Sequence, residues 1–119
     1  MVATRTSFRT ESPPEQRKSL DLFEIYSPGE MARIQQGFVP RDMDDRWFIF
    51  FEDHWLNIYR SWTGFQVFAL RFEMVGDGSG ALSGGWINGD PSQYQSDGRS
   101  SDCALAFDLI SGLLLGVQK

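Results

Sequence analysis

The amino-acid sequence predicts an α+β domain, in which a small antiparallel β-meander of three to four strands packs with a short N-terminal helix and a C-terminal helix. Three observations support this class: a helix-start signature near residue 27, strand-type patterning between residues 47 and 75, and a helical period after residue 101. A length of 119 residues fits a single domain, and a content of 41% hydrophobic residues suffices for a modest core.

The first 21 residues are polar, contain Pro13 and Pro14, and show no apolar period. A segment of this composition buries too little apolar surface to order itself. We therefore predict a flexible polar leader at residues 1–21 and a single α+β domain at residues 22–119.

A helix is predicted at residues 28–36. Ser27 is placed to cap it, Pro28 suits the first helical position, and Glu30 completes a capping box. Gly37 is a suitable stop, because glycine readily adopts the backbone conformation that ends a helix.

Three strands follow. Residues 47–51 (WFIFF) form a continuous apolar run, which is typical of a strand covered on both faces. Residues 55–61 alternate in part, and residues 65–75 alternate clearly. The breaks between them are short, which predicts an antiparallel meander.

The rest of the chain divides into a loop and a helix. Residues 76–85 (GDGSGALSGG) read as a flexible connection, and residues 86–88 as a short fourth strand. A terminal helix is predicted at about residues 101–117. Its core-facing stripe would consist of Cys103, Phe107, Ile110, Leu114 and Val117.

Charge and composition narrow the class of function. The formal net charge of −5 argues against a long nucleic acid as partner and favours a basic protein surface or a small ligand. One histidine and one cysteine do not make a zinc site, so we expect no metal and no cofactor. No apolar run approaches the roughly 18 residues of a spanning helix, and no secretory signal is visible, so a cytoplasmic location without membrane contact is expected.

Asp42, Asp44 and Asp45 place three carboxylates just before the first strand of the meander. Such a group could bind a divalent cation or an arginine of a partner. A solvated charged linker explains the same residues and is the favoured reading.

The segment RSWTGF, residues 60–65, lies between two predicted strands. Thr63 and Gly64 suit a hairpin connection with glycine in the left-handed region. Arg60 and Trp62 could hold an anionic aromatic ligand such as a nucleotide through charge and stacking. In the favoured alternative, Trp62 covers the core and Arg60 pairs with an acid such as Asp44.

Three short motifs occur in order: M-D-D-R-W at residues 43–47, R-S-W-T-G at residues 60–64 and D-P-S-Q-Y at residues 90–94. Over about residues 38–116 the chain resembles a small uncharacterised bacterial domain with the pattern M-D-D-[KR]-W … RSWTG … D-x-x-Q-Y. That domain occurs alone or attached to ADP-ribosylglycohydrolase-type proteins. The resemblance implies a role near ADP-ribose or NAD metabolism or in toxin and immunity systems, and it transfers no catalytic residue.

These observations lead to three functional hypotheses. The first is a non-catalytic binding module, an accessory or immunity-type protein that recognises a protein or a nucleotide- or ADP-ribose-related ligand through an aromatic face. The second is an enzyme that acts on such a nucleotide derivative, and the third is a structural homodimer. The residues predicted to bind ligand or partner are Arg60, Trp62, Trp47, Asp44 and Asp45.

Overall fold

The computed structural model describes residues 2–8, 10–42, 44–94 and 98–116, and the side chains of residues 99 and 100 are outside that description. Six strands form one antiparallel sheet, and two helices pack on one of its faces. The strands are β1 (Arg17–Leu20), β2 (Glu24–Tyr26), β3 (Trp47–Glu52), β4 (Trp55–Arg60), β5 (Gln66–Met74) and β6 (Gly80–Asn88). The helices are α1 (Pro28–Gln36) and α2 (Arg99–Leu109), and α2 continues into a π-helical turn, Ile110–Leu114. The predicted α+β class is confirmed.

The strand order is β1-β6-β5-β4-β3, and β2 also pairs with β6. Strands β3 to β6 form the predicted meander, since each pairs with the next in the chain. The predicted number of three to four strands was too small. The two additional strands are short edge strands with one buried residue each, so they carry no alternating apolar pattern.

The predicted domain boundary at residue 21 is corrected, because the sheet begins at Arg17. Strand β1 pairs with β6 from Arg17 opposite Asn88 to Leu20 opposite Gly85. Earlier residues also contact the sheet: Ala3 is buried in a small cluster with Phe48 on the face opposite the helices. These contacts come from backbone pairing and isolated apolar residues, which leave no period in the sequence.

Helix α1 has the predicted bounds. The Ser27 side chain accepts a hydrogen bond from the Glu30 amide, and the Glu30 carboxylate accepts one from the Ser27 amide. Gly37 ends the helix with φ of 70°. Met31 and Ile34 are buried against the sheet. This helix start is therefore encoded locally, by a capping box with proline at the first position.

Strand β6 corrects the prediction of a loop at residues 76–85, because residues 80–85 belong to it. Its glycines allow close packing instead of flexibility. A Cβ atom at Gly80 would lie 2.7 Å from the Met31 sulfur, and one at Gly85 would collide with the Ala69 carbonyl oxygen. Glycine in a strand often marks such a close approach. A glycine-rich sequence alone does not distinguish a closely packed strand from a loop.

The C-terminal helix is confirmed in position, with an unpredicted change of winding. Ile110 and Leu114 are buried as expected, whereas Cys103 and Phe107 are only half-buried. The π-helical turn at residues 110–114 alters the helical period there. Val117, the last residue of the predicted stripe, lies outside the described residues. In the described part of the chain, no helix is long and apolar enough to cross a membrane.

Candidate functional site

A cleft of about 520 Å³ opens where β3 begins, β4 ends and the loop after β6 meets α2. The described residues that line it are Arg46, Trp47, Arg60, Thr63, Gln93, Tyr94 and Leu105. Its volume lies within the range of about 300–1,000 Å³ that is typical of small-molecule sites. The three sequence motifs, at residues 43–47, 60–64 and 90–94, each contribute side chains to this cleft.

Trp47 and Arg60 form the wall that β3 and β4 provide. They are directly opposite each other in the antiparallel register, so their side chains lie on the same face of the sheet. The guanidinium carbon of Arg60 lies 5.2 Å from the centroid of the Trp47 ring. Stacking of this kind restricts the guanidinium while its N–H edge can still donate hydrogen bonds.

Ser61 fastens the turn after β4 to the segment before β3. Its hydroxyl donates to the Asp45 carbonyl oxygen at 2.7 Å, and its amide donates to the Arg46 carbonyl oxygen at 2.8 Å. Gly64 has φ of 77°, the left-handed conformation that the sequence predicted, and its amide bonds to the Arg60 carbonyl oxygen. The first two motifs are therefore joined by the backbone as well as by the Trp47–Arg60 stack.

Asn88, fully buried at the end of β6, holds the third motif in place. Its side-chain amide donates to the Gln66 carbonyl oxygen at 2.8 Å and to the Gln93 side-chain oxygen at 2.9 Å. Its side-chain oxygen accepts from the Asp90 amide at 2.8 Å. One buried side chain thus connects β5 to the loop that carries Gln93.

The loop itself is a tight turn centred on Asp90. The Asp90 carboxylate accepts hydrogen bonds from the Ser92 hydroxyl at 2.7 Å and from the Ser92 amide at 2.9 Å, and these bonds lower the pKa of Asp90. The Asp90 carbonyl oxygen accepts from the amides of Gln93 and Tyr94. The turn orients both of these residues toward the cleft.

The polar groups of the cleft are mainly hydrogen-bond donors. Arg46 and Arg60 carry two positive charges, and none of the described lining residues is acidic. The Thr63 hydroxyl oxygen already accepts from the Phe65 amide, and the Gln93 side-chain oxygen accepts from Asn88. Thr63 can therefore offer its hydroxyl proton and Gln93 its amide protons, a combination that suits an anion.

Trp62 is placed elsewhere. It is 57% exposed and lines a separate groove of about 240 Å³ with Phe8, Pro40, Arg41, Asp42 and Ser61. The guanidinium carbon of Arg46 lies 5.6 Å from the centroid of the Trp62 ring. Of the grooves lined by described residues, one contains Trp62 and another contains Arg60, and the exposed Trp62 ring does not cover the core.

Asp44 and Asp45 line a third, smaller groove of about 140 Å³ beside the cleft. Arg46 and Trp47 line both the groove and the cleft. The Asp45 carboxylate accepts from the Arg41 amide at 2.9 Å, which accounts for one of the two acids as a loop-ordering residue. Among the described residues, Asp44 forms no ion pair with Arg60, and no cluster of three metal-ligating side chains occurs. Asp44 and Arg60 therefore line two neighbouring grooves.

The structure adds residues to the predicted site. Arg46, Thr63, Gln93 and Tyr94 belong to the three motifs, so the motif pattern was the signal that could have assigned them to the site. Leu105 had no such signal, because it reaches the cleft through the packing of α2. Met43, the first residue of the first motif, lies outside the described residues.

No protein-family model matches this sequence, and neither the curated proteins nor the solved structures contain a significant match. The resemblance to the bacterial domain therefore stays a prediction.

Proposed function

We propose that the protein is a non-catalytic binding module whose cleft takes a small phosphate-bearing ligand with a planar ring, of the nucleotide or ADP-ribose class. The observation that carries this proposal is the convergence of three separated motifs on one cleft that holds two arginines and two aromatic rings. The accessory role predicted from the sequence is part of the same proposal.

The charge of the cleft supports an anionic ligand. The protein as a whole has a net charge of −5, whereas the described lining of the cleft has two arginines and no acid. A guanidinium presents paired N–H donors that match two oxygens of a phosphate. The stack on Trp47 at 5.2 Å restricts Arg60, which reduces the conformational entropy that binding would cost.

The aromatic residues of the cleft favour a ligand that contains a planar ring. Trp47 and Tyr94 are both half-buried, so each combines an anchored ring with some exposed surface. Thr63 and Gln93 add neutral hydrogen-bond donors to the same cleft. A nucleotide combines these requirements, since it carries phosphate oxygens, ring and sugar acceptors, and a flat base.

The test is a calorimetric binding titration with AMP, ADP, NAD, ADP-ribose and inorganic phosphate. Thermal unfolding in the presence of each ligand is the second measurement. A ligand present at about 100 times its Kd stabilises a folded protein by about 2.7 kcal/mol, which raises Tm by several degrees. Arg60→Gln removes charge-assisted hydrogen bonds and is expected to weaken binding by about 10- to 100-fold.

Arg71→Gln is the matched control, because Arg71 also stacks on a tryptophan, Trp55 at 5.8 Å, but does not line the cleft. It should leave the affinity unchanged. The proposal would be refuted if none of these ligands bound, or if Arg60→Gln and Arg71→Gln lost the same amount of affinity.

A further inference from the structure

One edge of the sheet is open. Strands β1 and β2 both pair with β6 on the same side, and no described segment pairs with their other side. The backbone N–H and C=O groups along such an edge can pair with another strand. The edge therefore offers a strand-pairing surface independent of the cleft.

Two large apolar side chains on this edge are exposed. Phe23 is 67% exposed and Ile25 is 65% exposed, and both belong to the segment that forms the edge. Exposed apolar side chains on an edge strand favour pairing with another chain. Phe23 and Ile25 are residues that a partner on this edge would cover.

The charges along the edge are complementary to those of a second copy of the same edge in antiparallel orientation. Arg17 and Lys18 lie at one end, and Glu24 lies at the other. In an antiparallel pairing of two copies with Asp21 at the two-fold axis, Lys18 of each copy is opposite Glu24 of the other. The same register places Arg17 opposite Ile25.

The faces of the sheet agree with this register. Lys18 pairs with Ile87 and Glu24 pairs with Leu82, and both of these partners are buried in the core on the helix side. The side chains of Lys18 and Glu24 therefore lie on the same face, as directly opposed residues must. A two-fold axis perpendicular to the sheet keeps that face common to both copies.

We propose that this edge is the interface of a symmetric homodimer, in which β1 of each copy pairs with β2 of the other and the two sheets become continuous. A second copy is the occupant that the charge pattern fits, because a two-fold interface must be complementary to itself. The proposal goes beyond the ligand-binding function and does not depend on it. The two Asp21 side chains meet near the axis and oppose association.

Sedimentation equilibrium of the full chain tests the proposal. The wild type is expected to form dimers at micromolar concentrations, and Lys18→Glu or Glu24→Lys alone to raise the dimer Kd by about tenfold or more, because each change acts twice in the dimer. The double variant Lys18→Glu/Glu24→Lys should restore the wild-type Kd. Asp21→Asn should lower it.

Glu73→Lys is the matched control, since Glu73 is an exposed glutamate on β5 away from the edge, and it should leave the Kd unchanged. Ile25→Lys should abolish the dimer by adding charge to the edge. Circular dichroism and thermal unfolding establish that each variant is folded. A monomeric wild type up to about 200 µM, or single charge changes without effect on the Kd, would overturn the proposal.

Discussion

Replacement of Asn88 by alanine is expected to destabilise the fold and to displace the third motif of the cleft. The side chain of Asn88 is fully buried and makes three hydrogen bonds, to the Gln66 carbonyl oxygen, the Gln93 side-chain oxygen and the Asp90 amide. A typical intramolecular hydrogen bond contributes about 1 kcal/mol to stability, and loss of one partner from a buried pair costs more. The expected loss in unfolding free energy is therefore about 3 kcal/mol, and the matching fall in Tm is about 10 °C.

Urea denaturation monitored by tryptophan fluorescence measures the change in unfolding free energy. Gln93→Ala is the matched comparison, because it removes only one of the three bonds, and it should cost about 1 kcal/mol. Asn88→Asp keeps the acceptor for the Asp90 amide but turns a buried carboxylate oxygen toward the Gln66 and Gln93 oxygens, so it should be at least as damaging as alanine.

A loss below about 1 kcal/mol in Asn88→Ala would show that water replaces the three bonds without cost, and that Asn88 does not position the loop. Binding adds an independent readout. If Asn88 positions Gln93 and Tyr94, the ligand Kd of Asn88→Ala should rise at temperatures where the variant is still folded.

Three further predictions concern the scaffold. Gly85→Ala should destabilise the protein by about 2–4 kcal/mol in denaturant titrations, because its Cβ would collide with a backbone carbonyl of β5, whereas Gly112→Ala, which has open space, should be neutral or mildly stabilising. Burial raises the pKa of Tyr26 to about 12, above about 10 in the unfolded chain, so its contribution to stability is complete below pH 10 and is lost as the pH rises from 10 through 12. Tyr26→Phe should therefore flatten the fall of unfolding free energy in that window, and an unchanged slope would contradict the assignment. Asp53 and His54 occupy the β3–β4 turn with φ of 53° and 70°, so His54→Gly should raise the unfolding free energy by about 0.5–1 kcal/mol, and a lower Tm would count against this strain.

The parts of the fold that were predicted correctly depend on residues close together in the chain. Ser27 and Glu30 are three residues apart and form both hydrogen bonds of the capping box, so helix α1 could be read with its correct bounds. The meander from β3 to β5 was likewise visible, because short breaks leave few alternatives to antiparallel neighbours. The glycines of β6 were misread, because their role is to admit Met31 and the β5 backbone, and those contacts come from other elements.

The candidate site divides in the same way. The sequence by itself marked Arg60, Trp62 and Trp47 as candidate binding residues, and it predicted the left-handed conformation of Gly64 in the hairpin turn. Only the tertiary structure decided which residues share a cleft. It separated Trp62 from Arg60 and joined Arg60 to Gln93 and Tyr94.

The physical reason is that the cleft depends on two long-range connections. The register of β3 and β4 pairs Trp47 with Arg60, and the hydrogen bonds of Asn88 join β5 to the loop after β6. Local propensity sets turns and caps over three or four residues. A strand register and a buried amide that joins residues 22 positions apart are fixed only when the whole sheet assembles.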